Sequence, residues 1–428
     1  METADRVPVG TFVAPAEQTF RRAQWRMLLA AMFCYLFFYT GRQTFGFAIP
    51  GIQQEFGLSK EVLGWASTCL LWCYAAGQAI NGNLGDKFGG RRVMTAGAIL
   101  SCAANWVVSF AVGFKSLAIP WGINGYFQAL GWAPGSRLLS NWWDAGERGK
   151  VYGFYVFAAG CASVLSFVTS ILVINILHLD WRWIFRLPVL LMLVGGITFF
   201  LVVRERPEEL GFRSPDTGCG RAGAEETDAS ESSWSRYKAV LSNPRLMIAG
   251  LSIGFQNAAR YGLIVWVPVH FLGKDWSRAD TFINPAWISV ALPVGMAFGA
   301  LSNGWISDRL FGSSRSKAIV LYMVLGAIAS MIMYRLPMGM TAIGALFLAG
   351  FFVYGPASSF WALCPDLVGA RRAGTATGIL NFFSYLLAGL GEPLIGRMLD
   401  HSGNTSLVFP IVATSCVISA VIAAFIRR

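Results

Sequence analysis

The chain alternates between long apolar runs and short polar ones, and the apolar runs have a common length. Nearly uncharged runs of about 20 residues are what a helix needs to cross the hydrocarbon core of a bilayer. Twelve runs of this kind are centred near Cys34, Cys73, Trp106, Ala129, Gly160, Val194, Gln256, Gly295, Leu325, Tyr354, Tyr385 and Val417. The pattern predicts an all-α, polytopic membrane protein with twelve transmembrane helices.

One long polar stretch divides these runs into two sets of six. Between Arg204 and Arg245 the composition changes to Glu, Arg, Ser and Gly. We therefore expect a cytoplasmic N-terminal segment at 1–24, a six-helix bundle at 25–204, a cytoplasmic linker at 205–243 and a second six-helix bundle at 244–428.

The two halves match each other in sequence. Arg42 in the first run corresponds to Arg260 in the seventh at an offset of 218 residues, and Asp86 corresponds to Asp308 at an offset of 222. Small changes in offset are what loop-length differences between duplicated units produce. Parallel repeats of this kind occur in transporters whose substrate site lies between the halves near the bilayer midplane. The repeat predicts two pseudo-symmetric bundles.

Composition and charge agree with a membrane protein and set its orientation. Of the 428 residues, 55% are hydrophobic and only 13% are charged, with a net charge of +11. If both termini are cytoplasmic, 23 of the 34 lysines and arginines lie on the cytoplasmic side, as the positive-inside rule requires. Most of the positive charge then faces the anionic inner leaflet. It gives no reason to expect a nucleic-acid partner.

The sequence offers little for catalysis. No nucleophile stands beside a general base, and no cluster of metal ligands is evident. We therefore expect no enzyme activity, no cofactor and no metal site, and a monomer in the lipid bilayer.

Two arginines lie where a charge is costly. Arg42 and Arg260 interrupt apolar runs, and each is followed eight residues later by a proline, Pro50 or Pro268. Eight helical residues rise about 12 Å, which places each arginine near the middle of a core about 30 Å thick. A cation there costs roughly 3 kcal/mol or more and normally faces a polar cavity. The pair predicts the floor of an anion-binding site.

Polar neighbours at helical spacing strengthen that prediction. Tyr39 precedes Arg42 by three residues, and Gln256 and Asn257 precede Arg260 by four and three. The alternative is that each arginine is a structural strut paired with a buried carboxylate of its own bundle. Glu392 is the only acidic residue that we place inside a run, and it lies near the outer end of the eleventh.

Two loops carry a repeated glycine-rich and basic motif. The first reads Gly-Asn-Leu-Gly-Asp-Lys-Phe-Gly-Gly-Arg-Arg over 82–92, and the second reads Gly-Trp-Ile-Ser-Asp-Arg-Leu-Phe-Gly-Ser-Ser-Arg over 304–315. These strings resemble the signature loop of the major facilitator superfamily, and the resemblance covers the whole chain. It implies gating roles for Asp86, Arg92, Asp308 and Arg309.

Two further residues are candidates for gates. Arg137, near the cytoplasmic end of the fourth run, can pair with Asp86 or with the acidic residues of the following loop. Glu392 can stabilise the outer gate or meet an ammonium group of the substrate. For Arg137 we favour a structural role over a role in the gate.

Within that superfamily, the chain is similar to the organophosphate:phosphate antiporters, which include glycerol-3-phosphate and hexose-phosphate transporters. The similar stretches are 41–50, 131–137, 141–143, 258–262, 354–356 and 373–378 with Tyr385. The resemblance implies that Arg42 and Arg260 bind phosphate. It also implies a cavity lined by Tyr39, Tyr74, Tyr354 and Tyr385.

The chain departs from that family where further positive charge is expected. Gln43 directly follows the first arginine and Gln78 lies in the second run, at positions where members of the family often carry lysine. A histidine expected in the fifth run is also missing. The cavity is therefore less positive than that of the glycerol-phosphate type, which leaves a phosphonate, a phosphoglycerate or a zwitterionic phosphorylated compound as possible substrates.

The resemblance implies a transporter of the bacterial inner membrane that exchanges an organic phosphate or phosphonate for inorganic phosphate by a rocker-switch mechanism. A proton-coupled symporter of a sugar acid or another carboxylate is one alternative. Such a symporter needs a titratable group inside the membrane, and the central region of this chain lacks one. A transporter-like sensor of sugar phosphate is the other alternative.

Overall fold

The computed structural model describes residues 13–213, 233–272, 289–312, 314–337, 341–368 and 373–426, and in these ranges the regular structure is helical throughout. Inside a bilayer no water can satisfy the backbone groups, so a helix, which bonds its own, is the expected element. The helices fit the twelve predicted spans, and the all-α fold class is confirmed.

The first six spans are formed by eight α-helices, because two spans are each divided in two. Spans one and four consist of α1 with α2 and of α5 with α6. The helices are α1 (Val13–Phe38), α2 (Phe45–Phe56), α3 (Lys60–Phe88), α4 (Gly90–Val108), α5 (Phe114–Gln128), α6 (Trp132–Trp142), α7 (Ala145–Ile171) and α8 (Leu187–Val202).

The second six spans follow a short helix in the linker, α9 (Ser233–Leu241). Span ten is divided at Gly355 and Pro356. The helices are α10 (Pro244–Leu272), α11 (Ala291–Leu310), α12 (Arg315–Arg335), α13 (Thr341–Tyr354), α14 (Ala357–Val368), α15 (Ala373–Ser402) and α16 (Val408–Ala424).

Length and hydropathy alone single out only some of these spans. Among the described residues, six helical segments are long and apolar enough to cross a membrane: 154–176, 181–202, 315–335, 341–368, 375–402 and 405–424. The break between α1 and α2 explains why span one is not among them, since neither piece contains a long continuous apolar helix.

The two bundles are in close contact on the side of the molecule where α2 ends and α3 begins, which we call the outer side. Lys60 forms an ion pair with Asp400 at 3.4 Å, joining the start of α3 to the end of α15. Deeper in the membrane, the Thr68 hydroxyl donates to the Gly389 carbonyl at 2.6 Å.

Backbone contact is close at the same interface. An added methyl group on Gly64 would lie 2.7 Å from the Glu392 carbonyl oxygen, so only glycine allows α3 to approach α15 this closely. In this structure the outer side is therefore closed between the bundles.

Candidate substrate-binding site

Arg42 lies at a break in span one rather than in a continuous helix. The α-helix ends at Phe38, residues Tyr39–Gly41 form one 3-10 turn, and α2 begins only at Phe45. The backbone N–H groups of Arg42 and Gln43 both donate to the Tyr39 carbonyl, at 3.1 and 2.9 Å. The continuous helical spacing that we expected around Arg42 is wrong, although Tyr39 and Arg42 are in contact.

The break leaves backbone groups that the helix no longer satisfies, and side chains of spans three and four take over. The Gly41 carbonyl accepts from Asn124 Nδ2 at 2.7 Å and from Asn105 Nδ2 at 3.2 Å. The Ser101 hydroxyl donates to Asn124 Oδ1 at 2.6 Å, and Gln128 Nε2 donates to that hydroxyl at 2.7 Å. A buried carbonyl without a donor would be costly, so this network fixes the position from which Arg42 extends.

Arg260, in contrast, lies within the unbroken helix α10. Its Nη1 donates to Asn257 Oδ1, one turn earlier, at 3.4 Å. Asn257 Nδ2 donates to the Ser384 carbonyl at 3.1 Å, and Gln256 Nε2 donates to the Val353 carbonyl at 2.8 Å. Gln256 and Asn257 therefore connect α10 to spans eleven and ten while lying next to the arginine.

Tyrosine rings surround both guanidinium groups. Arg42 and Arg260 are 6% and 5% exposed, so both are cations shielded from solvent. The distances from each guanidinium carbon to the ring centroids are 4.1 Å for Arg42 to Tyr39, 4.9 Å for Arg42 to Tyr74, 4.3 Å for Arg260 to Tyr354 and 5.3 Å for Arg260 to Tyr261. A cation over an aromatic face gains about 0.5–2 kcal/mol, which offsets part of the cost of burial.

The same tyrosines cross the interface between the bundles. The rings of Tyr74 in α3 and Tyr385 in α15 have centroids 4.4 Å apart, and Tyr385 also lies 5.8 Å from Tyr261. Tyr39 of the first bundle interacts with Arg260 of the second. The two arginines thus belong to one cluster at the contact between the halves.

No acidic residue neutralises this cluster in the part of the chain that the structure describes. No described carboxylate forms an ion pair with Arg42 or Arg260 within 4.0 Å. The Nε atoms of both arginines are buried and have no hydrogen-bond partner. The strut interpretation required such a carboxylate, so the described residues do not support it.

Gln43 lines a small cavity next to Arg42, and Gln78 lies one helical turn after Tyr74 in α3. Gln43 is 2% exposed, and neither its Oε1 nor its Nε2 has a hydrogen-bond partner; Nε2 of Gln78 also has none. A cavity of about 10 Å³ lies between Arg42, Gln43, Ser67 and other side chains of both bundles. It has room for about one water molecule, so the bundles must separate before an organic anion enters.

Glu392 lies on the outer side of this cluster and does not contact either arginine. Its side chain is buried; Oε2 accepts from Trp266 Nε1 at 3.1 Å, and the carboxyl group interacts with Ser67 of the opposite bundle. Oε1 has no hydrogen-bond partner. Glu392 therefore lies between α3, α10 and α15, away from both guanidinium groups.

The remaining gate candidates include Arg92, near the start of α4, and Asp308 and Arg309, near the end of α11. Asp308 Oδ1 accepts from Arg315 Nη1 at 2.6 Å, and Arg315 also approaches Asp366 at 4.0 Å. Arg92 is exposed, and the guanidinium of Arg309 lies 5.4 Å from the Trp305 ring. The predicted contact of Asp86 with Arg137 lies outside the described side chains.

Sequence reasoning missed two parts of the site. Tyr261 was not among the candidates, because a residue directly after Arg260 in a helix points about 100° away from it. In the structure its ring nevertheless lies against both Arg260 and Tyr385. Asn105 and Asn124 were missed as well; uncharged polar residues inside apolar runs were the available signal.

Comparisons with known proteins give a consistent result. The family model described as Major Facilitator Superfamily matches residues 31–392. The chain is 26% identical over 423 residues to the glycerol-3-phosphate transporter of Bacillus subtilis (strain 168), covering 95% of this chain and 92% of that protein. It is also 26% identical over 415 residues to the membrane sensor protein UhpC of Escherichia coli (strain K12), covering 94% and 92%.

A solved structure shares the fold. The bacterial homolog of the human lysosomal transporter Spinster, in an inward-facing and unoccupied conformation, aligns with a TM-score of 0.70. The alignment covers 94% of this chain and 95% of that chain at 16% sequence identity. At this level of identity the likeness concerns the arrangement of helices alone.

Proposed function

The chain belongs to the Major Facilitator Superfamily, and on that premise we propose that it imports a phosphorylated or phosphonate organic anion in exchange for inorganic phosphate. Membership of this family makes it a multi-pass membrane transporter with the major facilitator fold, not an enzyme. We place it in a bacterial inner membrane, as a monomer with both termini in the cytoplasm and with bundles at 25–204 and 244–428.

One observation carries the proposal. Two buried guanidinium groups, one from each bundle, share a tyrosine cluster that contains no described carboxylate. Each guanidinium presents a planar fork of donors that matches two oxygens of a phosphoryl group. A dianion held between Arg42 and Arg260 would neutralise both charges and use their unpartnered donors.

The same arrangement supports exchange instead of one-way transport. The two cations repel each other when the bundles bring them together without an anion, and low dielectric strengthens this repulsion. A bound phosphate turns that repulsion into attraction to a common partner. The bundles then reorient readily only when organic phosphate or inorganic phosphate is bound, which is the requirement for antiport.

We propose that tyrosine and amide side chains select the organic group to which the phosphate is attached. We propose that Tyr39, Tyr74, Tyr354 and Tyr385 line the path, and that Gln43 and Gln78 bind substrate hydroxyl groups. Asn257 and Gln256 orient α10 next to Arg260. With two cations and no third positive group among these residues, the site favours monophosphates and phosphonates over more highly charged anions.

The gates lie at the two ends of this pathway. We propose that Glu392 stabilises the closed outer side through Trp266 and Ser67. At the opposite side, ion pairs made by Asp308 and by Asp86 would stabilise the closed inner side when the outer gate opens. We propose that Arg92, Arg137 and Arg309 contribute to the same closure.

Counterflow in liposomes tests the proposal. The purified protein is reconstituted with inorganic phosphate inside, and uptake of labelled phosphate is measured with glycerol phosphates, hexose phosphates, phosphoglycerates, phosphonates and sugar acids as competitors. We expect uptake to require internal phosphate and to be inhibited by at least one organic phosphate or phosphonate. Uptake that ignores internal phosphate and requires a proton gradient would identify a symporter and overturn the proposal.

A sensor is the second candidate, because the similarity to the membrane sensor protein UhpC is as extensive as that to the glycerol-3-phosphate transporter. Binding and transport separate the two functions. A sensor would bind an organic phosphate in detergent yet show no counterflow above empty liposomes, whereas a transporter shows both.

A further inference from the structure

A large groove on the bilayer-facing surface lies away from the arginine cluster. It has a volume of about 790 Å³ and runs between the N-terminal part of α1 and the C-terminal part of α8. Its walls include the apolar side chains of Trp25, Leu29 and Phe33, all of them exposed. Three arginines, at positions 21, 22 and 26, line the end nearest the N-terminus.

The depth of these side chains corresponds to the boundary between headgroups and hydrocarbon. From Arg26 to the end of α1 at Phe38, twelve residues rise about 18 Å, which exceeds half the thickness of a hydrocarbon core of about 30 Å. With Arg42 near the midplane, the arginines of the groove lie at headgroup level. Leu29 and Phe33, 57% and 40% exposed, face the acyl chains.

Two of the three arginines are free to bind an anion. Arg21 pairs with Glu147 at 2.7 Å and also interacts with Glu17. Arg22 and Arg26 are exposed, and neither has a hydrogen bond or ion pair within the described ranges. The groove thus offers two cations above an apolar trough, which is the complement of an anionic lipid.

We infer that this groove is a binding site for a phospholipid with an anionic headgroup. Arg22 and Arg26 bind the phosphate oxygens, Trp25 packs at the interface, and one acyl chain lies along Leu29 and Phe33. A free phosphate would make no use of the apolar walls. A zwitterionic lipid would fill the trough but leave the excess positive charge unmatched.

The bound lipid would connect the first and last helices of the N-terminal bundle. Helix α1 leads directly into the break that carries Arg42, so a lipid bridging α1 and α8 restrains the helix on which that arginine depends. The inference itself does not rest on the proposed substrate, because the groove and the arginine cluster share no residue.

Lipid binding to the full-length protein in neutral detergent tests the inference. Retention of phosphatidylglycerol and of phosphatidylcholine with identical acyl chains is compared by native mass spectrometry. We expect phosphatidylglycerol to bind more tightly to the wild type, and the double substitution Arg22→Gln with Arg26→Gln to weaken it about thirtyfold, at about 1 kcal/mol per arginine. Phosphatidylcholine binding should change by less than about threefold.

Two further variants distinguish specific lipid binding in the groove from non-specific attraction of anionic lipids to the positively charged surface. Arg245→Gln removes an exposed cation at the matching start of span seven, and it should leave phosphatidylglycerol binding unchanged. Thr198→Phe fills the groove without changing its charge, and it should weaken binding of the lipid as strongly as the double substitution does.

Three results would overturn the inference. Equal loss in Arg245→Gln would indicate non-specific electrostatic attraction. Displacement of phosphatidylglycerol by millimolar inorganic phosphate would indicate a site for soluble anions. Conversion of a dimer to a monomer by the double substitution, detected by light scattering, would show that a second copy of the chain covers the groove. Failure of phosphate counterflow would leave the inference intact.

Discussion

The two halves of the molecule place the same side chain in the same cluster by different means. In the first half Arg42 follows a break between α1 and α2, whereas in the second half Arg260 lies within the continuous helix α10. A break inside a membrane exposes carbonyl groups that need donors, and the amides of Asn105 and Asn124 supply them to Gly41.

The difference shows that a sequence repeat does not require a structural repeat at every residue. In the second half Asn257 and Gln256 form hydrogen bonds to the backbone of neighbouring spans, which position α10 as a rigid rod. In the first half the neighbouring spans hold a bend. Arg42 therefore extends from a bend held by side chains of other spans, whereas Arg260 extends from a continuous helix whose own Asn257 and Gln256 bond to other spans.

The largest effect should come from the arginines themselves and should be the same in both halves. Arg42→Lys and Arg260→Lys keep the charge but lose the bidentate fork. Each lost charge-assisted hydrogen bond costs about 1.5–3 kcal/mol, so each variant should reduce phosphate counterflow about 10- to 100-fold. Arg245→Lys, at an exposed position, is the control. Normal counterflow by either buried variant would exclude bidentate binding of one anion by both guanidinium groups.

Glycine-to-alanine substitutions should distinguish the two halves. A methyl group on Gly41 would lie 2.7 Å from Gln128 Nε2 and 3.2 Å from Asn105 Nδ2, inside the network that holds the break. On Gly262 it would meet mainly the movable end of Ile395 at 3.0 Å. We expect Gly41→Ala to lower counterflow about tenfold, since overpacking costs about 1–3 kcal/mol, and Gly262→Ala to change it less than about twofold. Equal loss of counterflow in both variants would show that the break in span one is no more sensitive to packing than the continuous helix α10.

A smaller effect should follow from loss of one amide in the network. Asn124→Ala leaves the Gly41 carbonyl with the longer bond from Asn105 and removes the acceptor of Ser101. We expect the apparent KM for phosphate to rise about fivefold, because a net hydrogen bond is worth roughly 1 kcal/mol. Asn303→Ala, an equally buried asparagine of the second half, should reduce thermal stability without raising KM. A similar rise in KM for both would assign Asn124 a purely structural role.

The smallest effect concerns an ion pair at the outer end of the first half. Arg182, which donates hydrogen bonds to Glu55, lowers the pKa of that carboxyl group below its usual 4.5, and Trp181 assists. A pKa that is lower in the folded state stabilises the protein above about pH 4.5 and loses this contribution as the pH falls through the folded value. Because Glu55 is 40% exposed, the gain is below about 1 kcal/mol.

Thermal unfolding of the wild type and of Glu55→Gln at pH 7 and pH 4 measures this contribution. The wild type should be slightly more stable at pH 7, and the difference should shrink at pH 4. A larger advantage of the wild type over Glu55→Gln at pH 4 would contradict the sign of the pKa shift.

Lys60→Met breaks the ion pair with Asp400 that joins the two halves. This substitution should instead favour opening of the outer side.

Much of the fold was predictable because apolar length and the positions of charges are local properties of the sequence. The twelve runs and the pairing of Arg42 with Arg260 come from such properties. The break in span one was not predictable, since the donors that allow it lie in spans three and four. Polarity identified Gln256 and Asn257, yet only the structure shows their bonds to the backbone of spans ten and eleven.

Calorimetric binding of inorganic phosphate tests the central claim most directly. If one anion is held by both halves, the wild type binds one phosphate per chain, and Arg42→Lys and Arg260→Lys each weaken that binding by at least about tenfold. Two phosphates per chain, or wild-type affinity in either variant, would contradict the account.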